Sequence, residues 1–174
     1  LQILGIARGL VQQQQSVMRY QVAIAAIERQ SIEPLKEGGQ PFSLAAQAGK
    51  LVIIYFYPKD STPGCTTEAQ QFRDLHDRFV AVDTVIVGIS RDRVKSHENF
   101  KAKQALPFEL ASDADETVCQ LFAVMKMKNM YGKQVRGIER STFVIDRNGV
   151  LRREWRGVKV PGHAQEVLDF VTSL

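Results

Sequence analysis

Leu51-Val-Ile-Ile-Tyr-Phe-Tyr57 is an unbroken run of β-branched, aliphatic and aromatic residues closed by Pro58. A run with no polar alternation marks a strand covered on both faces, as in a sheet with helices on either side. The chain then passes through the loop Lys59-Asp-Ser-Thr-Pro-Gly64 into a stretch where Ala69, Phe72, Leu75 and Phe79 recur at about one helical turn. That spacing predicts a helix opening near Cys65, with Glu68 in its first turn. Thr84-Val-Ile-Val-Gly-Ile89 is a second buried run, so strand, helix and strand form a βαβ unit with parallel strands.

Downstream, a helix is expected from Arg93 to Gln104, stopped at Leu106-Pro107, and then a short strand near Glu109 to Ala111. The next helix is expected from Asp113 to Phe122, where Asp113-Ala-Asp-Glu116 has the spacing of a capping box. Ser141–Ile145 and Val150–Trp155 flank Asp146-Arg-Asn-Gly149, and the Asn-Gly between two strand-like runs signals a hairpin. A closing helix from His163 to Leu174 carries Val167, Leu168, Val171 and Leu174 on one face. The order predicts an α/β domain, a mixed β-sheet flanked by helices on both faces, in the manner of the thioredoxin fold.

The domain reads from residue 39 to 174, preceded by an N-terminal extension of residues 1–38. Within the extension, residues 18–32 suggest a short helix, followed by a loop with Pro34 and Gly38-Gly39. The chain begins at Leu1, and Met18 is a candidate start. Leu1 to Ile27 contains no acidic residue, but the Gln12 to Gln15 run fits a transit peptide poorly, and Arg8 interrupts the only stretch apolar enough for a secretory signal. A cytoplasmic location is the default expectation.

At 174 residues the chain can bury a core without staples. Its 44% hydrophobic and 24% charged content is ordinary for a globular protein, and no apolar run approaches the ~20 residues that span a bilayer. Twenty-three Lys and Arg against nineteen Asp and Glu give a net charge of +4, distributed rather than gathered into a basic block, which argues against nucleic acid as a partner. His76, His97 and His163 fall in separate elements and read as surface or packing residues, so no metal site is expected.

Two cysteines, Cys65 and Cys119, are too few for a disulfide framework. Cys65 is placed just after a strand at a helix start, where unpaired N–H groups and the helix dipole favour a thiolate. Its polar neighbours, Thr62-Pro-Gly64 before and Thr66-Thr-Glu68 after, are unlike a core segment. Cys119, between Val118 and Phe122, reads as a packing thiol.

The stretch Pro58-Lys-Asp-Ser-Thr62-Pro-Gly-Cys65-Thr-Thr-Glu68 resembles the peroxiredoxin signature Pro-x-x-x-Thr-x-x-Cys, and the Thr-Pro-Gly-Cys-Thr wording resembles the bacterioferritin comigratory protein (PrxQ) branch of that family. The likeness implies a thioredoxin-like fold and a thiol-dependent peroxidase that reduces hydrogen peroxide and organic hydroperoxides without a cofactor. It also implies roles: Cys65 as nucleophile, Thr62 as the hydroxyl that bonds the peroxide, Pro58 as the shield of the thiolate, and Arg140 as the active-site arginine. Gly64 and Cys65 would add backbone N–H donors. Where many members of the branch carry a resolving cysteine, five residues after the nucleophile, this chain has Gln70, and Arg93 to Gln104 holds none either. The expectation is a sulfenic acid recycled by an external thiol such as thioredoxin or glutaredoxin/glutathione, in a monomer or weak dimer. A disulfide oxidoreductase would need a Cys-x-x-Cys pair, and Thr62 stands at its first position. A glutathione-peroxidase-like site would need a tryptophan beside the thiol, and the lone Trp155 lies in a hairpin strand.

Overall fold

The computed structural model describes residues 44–174. The short helix expected at residues 18–32 lies outside them. Five strands form one mixed sheet: β1 (Leu51–Phe56), β2 (Thr84–Ser90), β3 (Glu109–Ser112), β6 (Ser141–Ile145) and β7 (Leu151–Arg156), in the spatial order β3-β2-β1-β6-β7. β1 is central, parallel to β2 and antiparallel to β6. β2 is parallel to β3, and β7 runs antiparallel to β6 at the edge. Two further strands, β4 (Met125–Met130) and β5 (Lys133–Ile138), pair only with each other.

Why β1 is apolar throughout follows from its position. Val52, Ile54 and Phe56 point into one core with Val87, Ile89, Cys119, Phe122 and Phe143, while Leu51, Ile53, Tyr55 and Tyr57 point into another with Cys65, Phe72, Phe100 and Val167. Strand residues alternate between faces, so both faces of the central strand need apolar side chains. The first core is covered by the short helix α4 (Thr117–Leu121), and the second by α1 (Pro63–Asp74), α2 (His76–Ala81), α3 (Val94–Gln104) and α5 (His163–Thr172). Helices flank both faces, as the pattern of alternating elements requires.

Several local expectations change. The helix after Pro58 is not continuous to Phe79: it breaks at Leu75, and its two halves send Phe72 and Phe79 into the same core with ring centroids 6.0 Å apart. Pro63 rather than Cys65 opens it, which moves Glu68 out of the first turn. The capping box over Asp113–Glu116 does not form, because Glu116 takes a left-handed backbone, φ 63°, and turns its carboxylate to Arg91 and Arg136. Asp113 still caps α4, accepting N–H bonds from Val118 at 3.1 Å and Cys119 at 2.6 Å. α5 ends at Thr172, and Leu174, beyond it, is exposed rather than part of the buried face.

The β6–β7 hairpin is present, and its turn is built on Asp146-Arg-Asn-Gly149. Asp146 O accepts from Gly149 N–H, the Asp146 carboxylate accepts from the N–H groups of Asn148 and Val150, and only Gly149 has positive φ. This is a turn started by aspartate and closed by glycine, with the register shift falling beside it.

Candidate active site

α1 begins where β1 ends, and the loop between them is short enough to set the first turn of α1 at the C-terminal edge of the central strand. Thr62 is the N-cap residue in an extended conformation, its carbonyl accepting from Thr66 N–H at 2.8 Å. Pro63 follows at the first helical position, where a missing N–H costs nothing. Gly64 and Cys65 therefore present N–H groups for which the helix has no carbonyl. Cys65 is buried, 2% exposed, with its sulfur at the rim of the core that also holds Tyr55 and Phe72.

Arg140 comes from the short connection between β5 and β6, 75 residues away, and its Nη2 donates to Cys65 Sγ at 3.4 Å. Its Nη1 donates to the carboxylate of Glu68, which is 1% exposed. The guanidinium thus bridges a sulfur and a carboxylate that lie three residues apart on one face of α1. Gly64 makes room for it: a Cβ there would stand 3.3 Å from Arg140 Nη2.

Burial is the largest influence on Glu68 and outweighs the attraction and hydrogen bond of Arg140, so its carboxyl rises to about 7. Burial pulls Arg140 the other way, but Glu68 and Cys65 more than compensate, and the guanidinium is held above its ordinary value. The two shifts differ in sign of balance because Glu68 is the more deeply buried partner, with a side chain 1% exposed against 15% for Arg140. Glu68 Oε1 and the Tyr55 hydroxyl are buried and make no hydrogen bond among the described residues. Tyr55 is held well above the usual phenol range by burial, then by the charges of Glu68 and Cys65.

Thr62 Oγ1 donates to Lys59 O at 2.9 Å, which leaves its lone pairs free to accept. Pro58 is half-buried between β1 and this turn. Cys119 lies in the core on the opposite face of the sheet and is 0% exposed. Its thiol is pushed far up by burial, and by the Asp113 carboxylate beside it.

A model of the AhpC/TSA family matches residues 24–154. The chain belongs to that family. Peroxiredoxin Bcp of Xanthomonas campestris pv. campestris is 56% identical over 131 residues, spanning 75% of this chain and 82% of its own length. Peroxiredoxin Bcp of Bacillus subtilis is 49% identical over 131 residues, spanning 75% and 83%. The solved structure of the X. campestris bacterioferritin comigratory protein, described for its alkyl peroxide reduction activity, superposes with a TM-score of 0.74 at 54% identity, covering 78% of this chain and 87% of that one. As a peroxiredoxin with a thioredoxin-like fold, the chain is a thiol-dependent peroxidase acting on a peroxide with a thiol reductant.

In this peroxiredoxin the structure brings Cys65, Gly64 and Arg140 into direct proximity and keeps Thr62 and Pro58 on the adjoining loop. Sequence reading missed Glu68 as a member of the site. The available signal was its spacing from Cys65, three residues along one helix, combined with a lone acid among the apolar positions that face the core. No helix among the described residues is long and apolar enough to cross a membrane.

Proposed function

We propose that Cys65 is the peroxidatic nucleophile and that Arg140, Thr62 and the first turn of α1 form the cradle for the hydroperoxide. The observation that carries this reading is the Arg140 Nη2 donor 3.4 Å from Cys65 Sγ at a helix N-terminus. A guanidinium and two free backbone N–H groups supply donors to the sulfur and to the oxygens where negative charge develops.

The thiolate attacks one peroxide oxygen in line with the O–O bond. That bond breaks, the second oxygen leaves with the electron pair and takes up the proton that the Cys65 thiol gave up to solvent on ionising, so that water or an alcohol departs and Cys65 becomes a sulfenic acid. Arg140 is placed to donate to the oxygens, while Thr62 Oγ1, already donating to Lys59 O, accepts the O–H of the peroxide. Pro58 screens the sulfur from water. Sulfur provides both electrons, so the step calls for no cofactor. Glu68 orients Arg140 from behind.

An external thiol then attacks the sulfenic sulfur, releases water and forms a mixed disulfide, and a second thiol frees Cys65. Cys119 on the far side of the sheet favours this route over an internal disulfide. We assign the reductant to thioredoxin or to glutaredoxin/glutathione, the location to the cytoplasm, and the state to monomer or weak dimer. Cys65→Ser tests the reading, since serine is tolerated at a helix start but is not ionised near neutral pH. The variant is expected to keep its fold and lose peroxide consumption with a thiol donor. Turnover above background in the folded variant would remove Cys65 as nucleophile.

A further inference from the structure

The loop between β1 and α1 holds no regular secondary structure, yet it delivers Pro58 and Thr62 to the site. Inside it Ser61 adopts φ 58°, a left-handed conformation unfavourable for any residue with a Cβ. Such a backbone persists only where its surroundings hold it. Next to it stands Asp60, whose carboxylate is nearly sealed from water, with a side chain 2% exposed.

Three side chains converge on that carboxylate. Tyr57 Oη donates to Oδ1 at 2.7 Å, Ser96 Oγ donates to Oδ2 at 2.7 Å, and His97 Nδ1 lies 3.0 Å from Oδ1 and 2.9 Å from Oδ2. Asp60 N–H in turn donates to Asp92 at 2.8 Å, and Asp92 accepts from Ser90 Oγ. His97 is 0% exposed, and its Nε2 makes no hydrogen bond among the described residues, so the polar role of the ring is spent on Asp60. A turn aspartate normally faces solvent, and sealing a carboxylate is costly unless its lone pairs are filled. Here they are filled by Tyr57, just past the end of β1, and by α3, which contributes both Ser96 and His97 and otherwise supplies no residue to the Cys65 cradle.

We infer that His97, acting through Asp60, is a positioning residue for the peroxidase site: it clamps the loop to α3 and so holds the strained Ser61 turn that sets Thr62 and the first turn of α1. The inference rests on Cys65 being the nucleophile. Losing the clamp lets Ser61 relax toward negative φ and displaces Thr62 and the N-terminus of α1 without removing any group of the cradle.

The test measures the second-order rate of Cys65 sulfenic acid formation by rapid-quench mass spectrometry, well below each variant's melting temperature. H97L keeps apolar bulk and deletes the donor, and is expected to react about tenfold more slowly or worse. H97N, whose side-chain amide can donate where Nδ1 does, should stay within about threefold of the parent. Because glycine accepts positive φ freely, adding S61G to H97L should recover about threefold or more of the lost rate, which a general loss of stability would not do. S96A, which removes one donor and leaves little cavity, decides the matter if H97L does not fold: slowing supports the clamp and a parental rate overturns it. The inference also falls if folded H97L reacts as fast as the parent, or if neither H97N nor S61G restores the rate. Failure of the parent itself to form a sulfenic acid at Cys65 would instead overturn the proposed function.

Discussion

At the scale of single residues, Arg140 carries two tasks with one guanidinium, one N–H group on sulfur and another on Glu68. Replacing it with methionine removes the charged donor while keeping a long apolar stem, and Thr62→Val removes a hydroxyl with little change in shape. Each is expected to slow peroxide consumption about tenfold or more, the scale of one lost transition-state hydrogen bond, donated by Arg140 in the first case and accepted by Thr62 in the second. Stopped-flow measurement of peroxide decay checks this, and parental rates in both would disprove the cradle. Glu68 makes a separate prediction about stability. Its folded-state value of about 7 lies above the ordinary 4.5, so between those values the folded protein holds a proton that the unfolded chain has released. Stability from this group is therefore fully present below 4.5, declines as pH rises towards 7 and is level above that. Glu68→Gln should flatten this decline, seen in urea unfolding of parent and variant at about pH 5 and about pH 8. An identical change with pH in both proteins would contradict the assignment.

At the scale of elements, β1 and β2 were legible because their apolar runs are set locally and then used without change, and α3 because Leu106-Pro107 marks its end. The β4–β5 hairpin was not. Met125-Lys-Met-Lys-Asn-Met130 lacks β-branched residues, and most of the hairpin is exposed, so no buried face stamps an alternation on it. What makes it a hairpin is the turn: Tyr131 and Gly132 both have positive φ and join Met130 directly to Lys133. Cys65, Thr62 and Pro58 could be read from one short stretch, whereas the Arg140 to Glu68 contact spans 72 residues and is a product of the fold alone. β2 supplies a testable case of element packing. A Cβ on Gly88 would approach Leu110 and the Tyr55 ring and hydroxyl at 2.7 Å, so the strand passes Tyr55 only because it has no side chain there. Gly88→Ala is expected to cost about 1–3 kcal/mol in chemical denaturation, by overpacking. It should also slow peroxide reduction, because the displaced Tyr55 shares its core with Cys65. A variant as stable as the parent would show that the ring has room to move.

At the scale of the molecule, the sheet is a partition. Cys65 sits in the core on one face and Cys119 in the core on the other, and a disulfide needs Cα atoms within ~7 Å of each other. One equivalent of peroxide should therefore yield a sulfenic acid or a mixed disulfide with added thiol, and no Cys65 to Cys119 bond, by mass spectrometry under non-reducing conditions. Cys119→Ser should leave turnover with a small thiol unchanged and cost about 1–3 kcal/mol of stability for burying a hydroxyl. A peroxide-induced internal disulfide, lost together with turnover in that variant, would overturn this account.

The same partition turns the two thiols into clocks running on different events. Alkylation of Cys65 needs only movement of the first turn of α1, whereas Cys119 meets a reagent only when α4 and the sheet part company. A pulse of iodoacetamide, read by the mass of two peptides, would time local breathing at the catalytic end and wholesale opening of the protein in one sample. The chain therefore carries its own internal standard for telling inhibitors that stiffen the site from ligands or mutations that change global unfolding.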